Sequence, residues 1–222
     1  MLFNIKTHYK LSDLVIIGCG VIVTSCCALF SISTLATTLM GMDIDDIAQR
    51  AELIFEGEVI DRQAQLDSNS GIINTFFTFR VIDLIKGDLG GNNLELKFAG
   101  GELNGEIVEV SGSTLPMLGE AGIYFVESAS RDMLNPLLGW SQGHFLIKSE
   151  GRERRVHTVS DNPVTQIQSV SAIPRAIKAP NQLIQDSEGI AAGVTVRSRT
   201  LTGNQALSVA DFKQKILDLI KN

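Results

Sequence analysis

Apolar and polar residues alternate through most of the span from Leu53 to Val159, and Gly, Asn, Ser and Asp clusters interrupt the alternation at short intervals. This two-residue period is the signature of strands with one buried face. It predicts strands at Leu53–Ile60, Ile72–Ile85, Asn93–Ala99, Glu106–Val110, Ala121–Val126, Gly139–Ile147 and Arg154–Val159. The densest stretch is Ile72 to Phe98, where β-branched and aromatic residues crowd two strands around the turn residues Lys86-Gly87-Asp88 and Gly90-Gly91-Asn92-Asn93. Gly57 sits inside the first strand and predicts a bulge or bend there. Asp67-Ser68-Asn69-Ser70-Gly71, Glu102-Leu103-Asn104-Gly105 and Gly151 mark turns, and residues 111–120 and 128–138 read as loops. Several short strands at such spacing predict an all-β sandwich or barrel.

A helical period replaces the alternation at two places. Asp43 is a suitable N-cap for a helix over Ile44–Ala51, with Ile44, Ile47, Ala48 and Ala51 on one face. Ser208 with Asp211 forms a capping-box-like start for a C-terminal helix, with Val209, Phe212, Ile216, Leu219 and Ile220 on a single face. Residues 162–206 are rich in small and polar residues and read as a flexible linker between the β domain at 41–161 and that helix at 207–222. The expected core is Ile54, Phe55, Val59, Phe77, Phe79, Val81, Leu96, Phe98, Tyr124, Val126, Phe145 and Ile147. The exposed edges of strands 53–60 and 154–159 are expected to be open to a partner strand.

The N-terminal pattern sets the expected compartment. Lys6 and Lys10 precede an uncharged apolar stretch from Leu14 to Met40, and Thr34-Leu35-Ala36 places small residues before a cleavage point. Residues 1–36 thus read as a secretory signal cleaved at Ala36. Two other routes fit the same stretch: retention as a membrane anchor, and lipidation of Cys26 in the lipobox-like Val23-Thr24-Ser25-Cys26. All three place residues 41–222 in the periplasm, outside the cell, or on a membrane facing away from the cytoplasm. The three cysteines, Cys19, Cys26 and Cys27, all lie in this segment, so the β body has neither a disulfide nor a thiol nucleophile. The net charge is −6, and an acidic surface disfavours nucleic acid as a partner.

The candidate chemistry is sparse. His144 and His157 fall on strands expected to pair, and with a carboxylate such as Glu153 they would make a metal site, but no zinc-protease spacing is present. Glu102, Glu106, Glu109 and Glu120 gather around a Gly-rich turn, a grouping that suits acid–base work or cation binding. Ser111-Gly112-Ser113-Thr114 offers hydroxyls without a nucleophile elbow. Trp140, the single tryptophan, suits a stacking contact or an apolar plug. Arg152, Glu153, Arg154 and Arg155 form a charged hairpin tip.

AELIFEGEVI, FFTFRVIDLIKGD, LPMLGEAGIYFVE and GWSQGHFLI follow one another between Ala51 and Ile147. This order resembles a group of uncharacterised bacterial exported proteins. The sub-pattern Phe79-Arg80-Val81, Lys86-Gly87, then Gly119 to Phe125 is also similar to the netrin-like, metalloproteinase-inhibitor-like form of the OB barrel. The resemblance implies an OB-like barrel of five to seven strands and a protease or other exported protein as partner. The inhibitors of that type chelate zinc through an N-terminal cysteine, and no cysteine follows Cys27 here, so that mechanism does not carry over. The sequence therefore predicts an exported, non-catalytic binding module for a protein or peptide. Its expected contact residues are Trp140, His144, His157, Glu102 and Glu106, with no catalytic residue, no cofactor and no metal. A metal-dependent hydrolase and a protease-inhibitor-like protein are the alternatives.

Overall fold

The structure is a computed structural model that describes residues 39–170, 183–184, 189–196 and 206–221. The expected signal segment, its cleavage at Ala36 and the lipid site at Cys26 lie outside the described residues. All described residues belong to one compact unit, Thr37–Asn222.

Strand periodicity gives mostly β-structure, flanked by two helices. The strands are β1 (Leu39–Met40), β2 (Leu53–Leu66), β3 (Ile73–Lys86), β4 (Asn93–Ala99), β5 (Gly101–Leu103), β6 (Glu106–Val108), β7 (Ala121–Val126), β8 (His144–Glu150), β9 (Glu153–Thr158), β10 (Val164–Ile167), β11 (Leu183–Ile184) and β12 (Val194–Val196). The helices are α1 (Ile44–Arg50) and α2 (Val209–Lys221). Six strands form one antiparallel sheet in the order β4-β3-β2-β7-β8-β9. Pairing stops at β4 and β9, so the sheet is open. β5 with β6, β10 with β12, and β1 with β11 form separate two-stranded pairs.

The middle of this sheet is buried on both faces. On β2, Ile54 faces one apolar cluster while Leu53 and Phe55 face another. On β7, Ile123 and Phe125 join the first cluster, and Tyr124 and Val126 the second. Alternation sends successive side chains to opposite faces, so a run such as Ile123-Tyr124-Phe125-Val126 needs a cover on each side. One cover is helical: Ile44, Ile47 and Ala48 of α1 and Val209, Phe212, Ile216 and Leu219 of α2 pack there with Phe145, Val156, Val164 and Ile167. The other is supplied by β3 and β4, whose Phe77, Phe79, Leu96 and Phe98 pack against Phe55 and Tyr124. There the rings of Phe79 and Tyr124 meet edge-on at 4.7 Å, and those of Phe77 and Phe98 at 5.3 Å.

Two glycines permit the bend this requires. The β2–β3 register shifts between Glu56 and Gly57, the predicted bulge, where a Cβ would lie 2.8 Å from the Phe55 ring. Gly101, at φ +127°, lets β5 leave β4 so closely that a Cβ would stand 2.0 Å from Thr75 Oγ1. The start of α2 is tied as the sequence reading anticipates, and the expected cap of α1 is not made. Ser208 Oγ accepts from the Asp211 amide at 3.1 Å and donates to Asp211 Oδ2 at 2.7 Å. Asp43 precedes α1 without a side-chain cap bond, but Lys86 donates to the Ala48 and Gln49 carbonyls near its C-terminal end at 3.0 and 2.5 Å.

Several expectations change. Residues 139–147 are not one strand: Trp140–Gly143 is a 3-10 turn, and β8 begins at His144. Strand β2 runs on to Leu66, held by pairing with β3 through Leu66↔Ile73. The span 162–206, expected as a flexible linker, supplies β10 and β12 and buries Val164, Ile167, Val170 and Ala191. The edge at 53–60 is not open, because β2 lies between β3 and β7. The outer side of β9 is met by Leu207, whose carbonyl accepts from the Val156 amide at 3.0 Å. Of the expected core, Val81 and Ile147 are half-buried and the rest are buried.

The Phe212 ring lies tilted against Phe145 at 4.9 Å and is fully buried, so it is the main anchor of α2. Phe212→Ala is expected to destabilise the protein by about 3–5 kcal/mol, read as a lower midpoint in urea. An unchanged midpoint would show that α2 does not dock on the sheet.

Candidate functional site

The polar side chains fall into three buried or half-buried centres and one open cleft. The first centre is built on Glu56, 1% exposed near the start of β2. Its cross-strand neighbour is Asp83 on β3, so two carboxylates oppose each other. Lys213 of α2 bridges the pair, with Nζ against Glu56 Oε2 and 2.8 Å from Asp83 Oδ2. Arg154 of β9 donates from Nη1 to Glu56 Oε1 at 2.5 Å. Burial opposes the Lys213 charge, but the hydrogen bonds to Asp83 and Glu56 outweigh it and hold its pKa above the ordinary lysine value.

The second centre joins the loop before β7 to β7 and β8. Glu120 Oε1 accepts from Tyr124 Oη at 3.0 Å and from His144 Nε2 at 2.7 Å. Glu120 Oε2 accepts from the Met117 amide at 3.3 Å, closing a turn whose Gly119 amide donates to the Val59 carbonyl at 2.8 Å. On the other side of the His144 ring, the buried Nδ1 has no hydrogen-bond partner among the described residues. Burial foremost, and then the Glu120 charge and hydrogen bond, push the Tyr124 phenol well above its ordinary range. The third centre is His157, with Nε2 2.8 Å from Glu150 Oε1 and Nδ1 3.3 Å from Asp161 Oδ1.

His144 and His157 are thus tied to different carboxylates, and Glu153 pairs with Arg155. The structure does not join these three residues in one set. Among the described residues no group of three His, Cys, Asp or Glu side chains stands where it would hold a metal ion. Trp140 is half-buried in the 3-10 turn, at φ +57°, and is not on a strand face.

The acidic cluster divides. Glu120 goes to the buried centre. Glu106 stands at the β5–β6 turn, opposite Leu103. Glu102 and Glu109 line a cleft of about 520 Å³, a size typical of small-ligand sites. One wall is the β5–β6 hairpin with Ile107 and Val108; the other is the loop carrying Ser111, Ser113 and Thr114. Arg62, from the part of β2 beyond the predicted strand, completes it. Its Nη2 would lie 3.9 Å from a Cβ on Gly101, beside Glu102. Among the described residues Arg62, Glu102 and Glu109 take part in no ion pair. Sequence reasoning missed Arg62 because Gln63-Ala64-Gln65 carries no strand signal and Arg62 lies far along the chain from Glu102.

Comparison with protein-family models, with curated proteins and with solved structures found no match to this chain.

Two outcomes follow from the buried centres. Lys213→Met leaves Glu56 and Asp83 facing each other with Arg154 as the remaining cation, and is expected to cost about 2–3 kcal/mol, less than the 3–5 kcal/mol of a buried pair broken outright. Because the folded pKa of Lys213 is raised, its contribution holds below the unfolded value of about 10.4 and is lost as pH rises through the folded value. The wild-type advantage over Lys213→Met in urea unfolding should therefore shrink only at strongly alkaline pH, and a constant difference would refute the coupling. For Tyr124, phenolate absorbance should appear together with loss of the β circular dichroism signal on alkaline titration of protein lacking residues 1–36, which contain the other tyrosine, Tyr9. Phenolate forming in protein with intact β signal would show that Tyr124 is accessible.

Proposed function

We propose that the chain is an exported, non-catalytic binding module, acting in the periplasm or outside the cell, and that its contact site is the cleft between the β5–β6 hairpin and residues 109–115. The observation that carries this reading is the contrast in charge use. Glu56, Glu120, His144 and His157 are paired inside the body, whereas Arg62, Glu102 and Glu109 border open space. Buried acids and bases held in ion pairs serve folding; unpaired ones around a cleft are available to a ligand.

The finer fold in this reading is a partly open OB-like barrel. It is supported by the way β2, β3, β4 and β7 enclose a single aromatic cluster, to which Leu137 and Leu115 are added from loops. Export rests on the basic and apolar N-terminal pattern, and a protein or peptide partner rests on the acidic, cysteine-free body.

The test is nuclear magnetic resonance of the mature protein against a panel of short peptides and soluble oligosaccharides, with mass spectrometry of the panel after incubation. At least one panel member should shift amides confined to residues 99–115 and be recovered intact. Chemical conversion of that member, or shifts centred on Glu120 and His144, would overturn the reading.

A further inference from the structure

The cleft's chemistry specifies its ligand further, on the footing that it is the contact site. It presents a guanidinium and two carboxylates that pair with nothing among the described residues, together with hydroxyls and an apolar wall. Ligands fail this combination for different reasons. A phosphate or nucleic-acid backbone meets Glu102 and Glu109 and is repelled. No aromatic ring lines the cleft, so a base finds no stacking platform. A divalent cation has two carboxylates but also the Arg62 charge, and no third acid joins them.

A small molecule carrying both charges finds a counter-charge for each of its ends. Its carboxylate takes the planar Arg62 fork, which matches such a group bidentately. Its ammonium goes to Glu102 and Glu109. The Ser113 hydroxyl accepts from Asn135 Nδ2 at 2.9 Å, so its own proton is left to donate to a ligand carbonyl. Ile107, 65% exposed, and Leu115 offer apolar surface to a side chain between the two ends.

We infer that the cleft binds a short peptide through its two free termini, the carboxylate on Arg62 and the ammonium on Glu102 and Glu109. The ligand class is a tripeptide with an apolar central residue. Both ends contribute, and blocking either removes one charge-assisted contact at a site otherwise unchanged.

Calorimetric titration of the mature protein with Gly-Leu-Gly, its N-acetyl form and its C-terminal amide tests this without altering the protein. The free peptide should bind, and each blocked form should bind at least tenfold more weakly. In Arg62→Met, amidation should make no further difference while acetylation still does; in Glu102→Gln with Glu109→Gln the pattern should reverse. All three side chains are exposed, so these variants keep the fold, and the blocked peptides on wild type stand independently of them. Equal binding of free and blocked peptides, or no binding of the free one, overturns the inference. Chitotriose on the same samples separates the two failures. Amide shifts at residues 99–115 with chitotriose alone sink the peptide assignment and keep the binding module, whereas silence from every panel member sinks both.

Discussion

Burial of β2 and β7 on both faces is the constraint from which the rest of the body follows. A sheet covered on one face tolerates polar residues at alternate positions, but Ile123 to Val126 is apolar throughout and fully buried. Each face then demands its own cover. Helices meet one face, because α1 and α2 are amphipathic and each leaves an apolar stripe that is marginal in water alone. The sheet meets the other by turning β3 and β4 over it, and the bulge at Gly57 supplies the curvature. Thus two helices at opposite ends of the chain pack together on one face, joined by no local contact in sequence.

The same double burial explains the cost of charge inside. Glu56 sits where an apolar residue would pack, opposite Asp83. At an effective dielectric near 20, two unit charges about 4 Å apart interact by about 4 kcal/mol, repulsive for the two acids and attractive for an acid and a cation. Lys213 touches both acids, and Arg154 a second oxygen of Glu56, so attraction at short range exceeds repulsion at the longer cross-strand distance. The arrangement also fixes which way α2 turns. Phe212 must face the sheet and Lys213, its neighbour, must reach the edge of β3, and a single rotation of the helix satisfies both.

Local signals made much of this fold legible. Strands β3, β4 and β7 lie within one residue of their expected bounds, since alternation and glycine punctuation act together there. The start of α2 is visible because Ser208 and Asp211 bond each other at 2.7 Å within one turn. What escaped depends on contacts remote in sequence. GWSQGHFLI looks like one apolar run, but Gly139 and Trp140 both take left-handed backbone, which no strand pattern announces for a tryptophan. Strands β10 and β12 are short and polar on one side, and each exists only because the other pairs with it. At the site, Glu102 and Glu109 were visible as a cluster. Arg62 was not, because its place at the cleft arises from an extension of β2 that only the pairing with β3 reveals.

The separation of buried from exposed charge also bears on what kind of work the protein does. A general base must be accessible to the proton it removes, and its lone pairs must be free. Glu120 has one oxygen filled by Tyr124 and His144 and the other turned to the Met117 amide, so its environment holds a loop in place. His157 is held from both nitrogens. The charges at the cleft stand in high dielectric, where charge pairs are weak singly and screened by salt. In the proposed reading, recognition there comes from several modest contacts made together in one shape, which favours a small ligand carrying complementary groups at both ends over a single strongly held ion. Rigidity makes this workable: the cleft hairpin leaves β4 at Gly101, pressed against Thr75, and Ser113 is fixed by Asn135, so its walls are positioned before any ligand arrives.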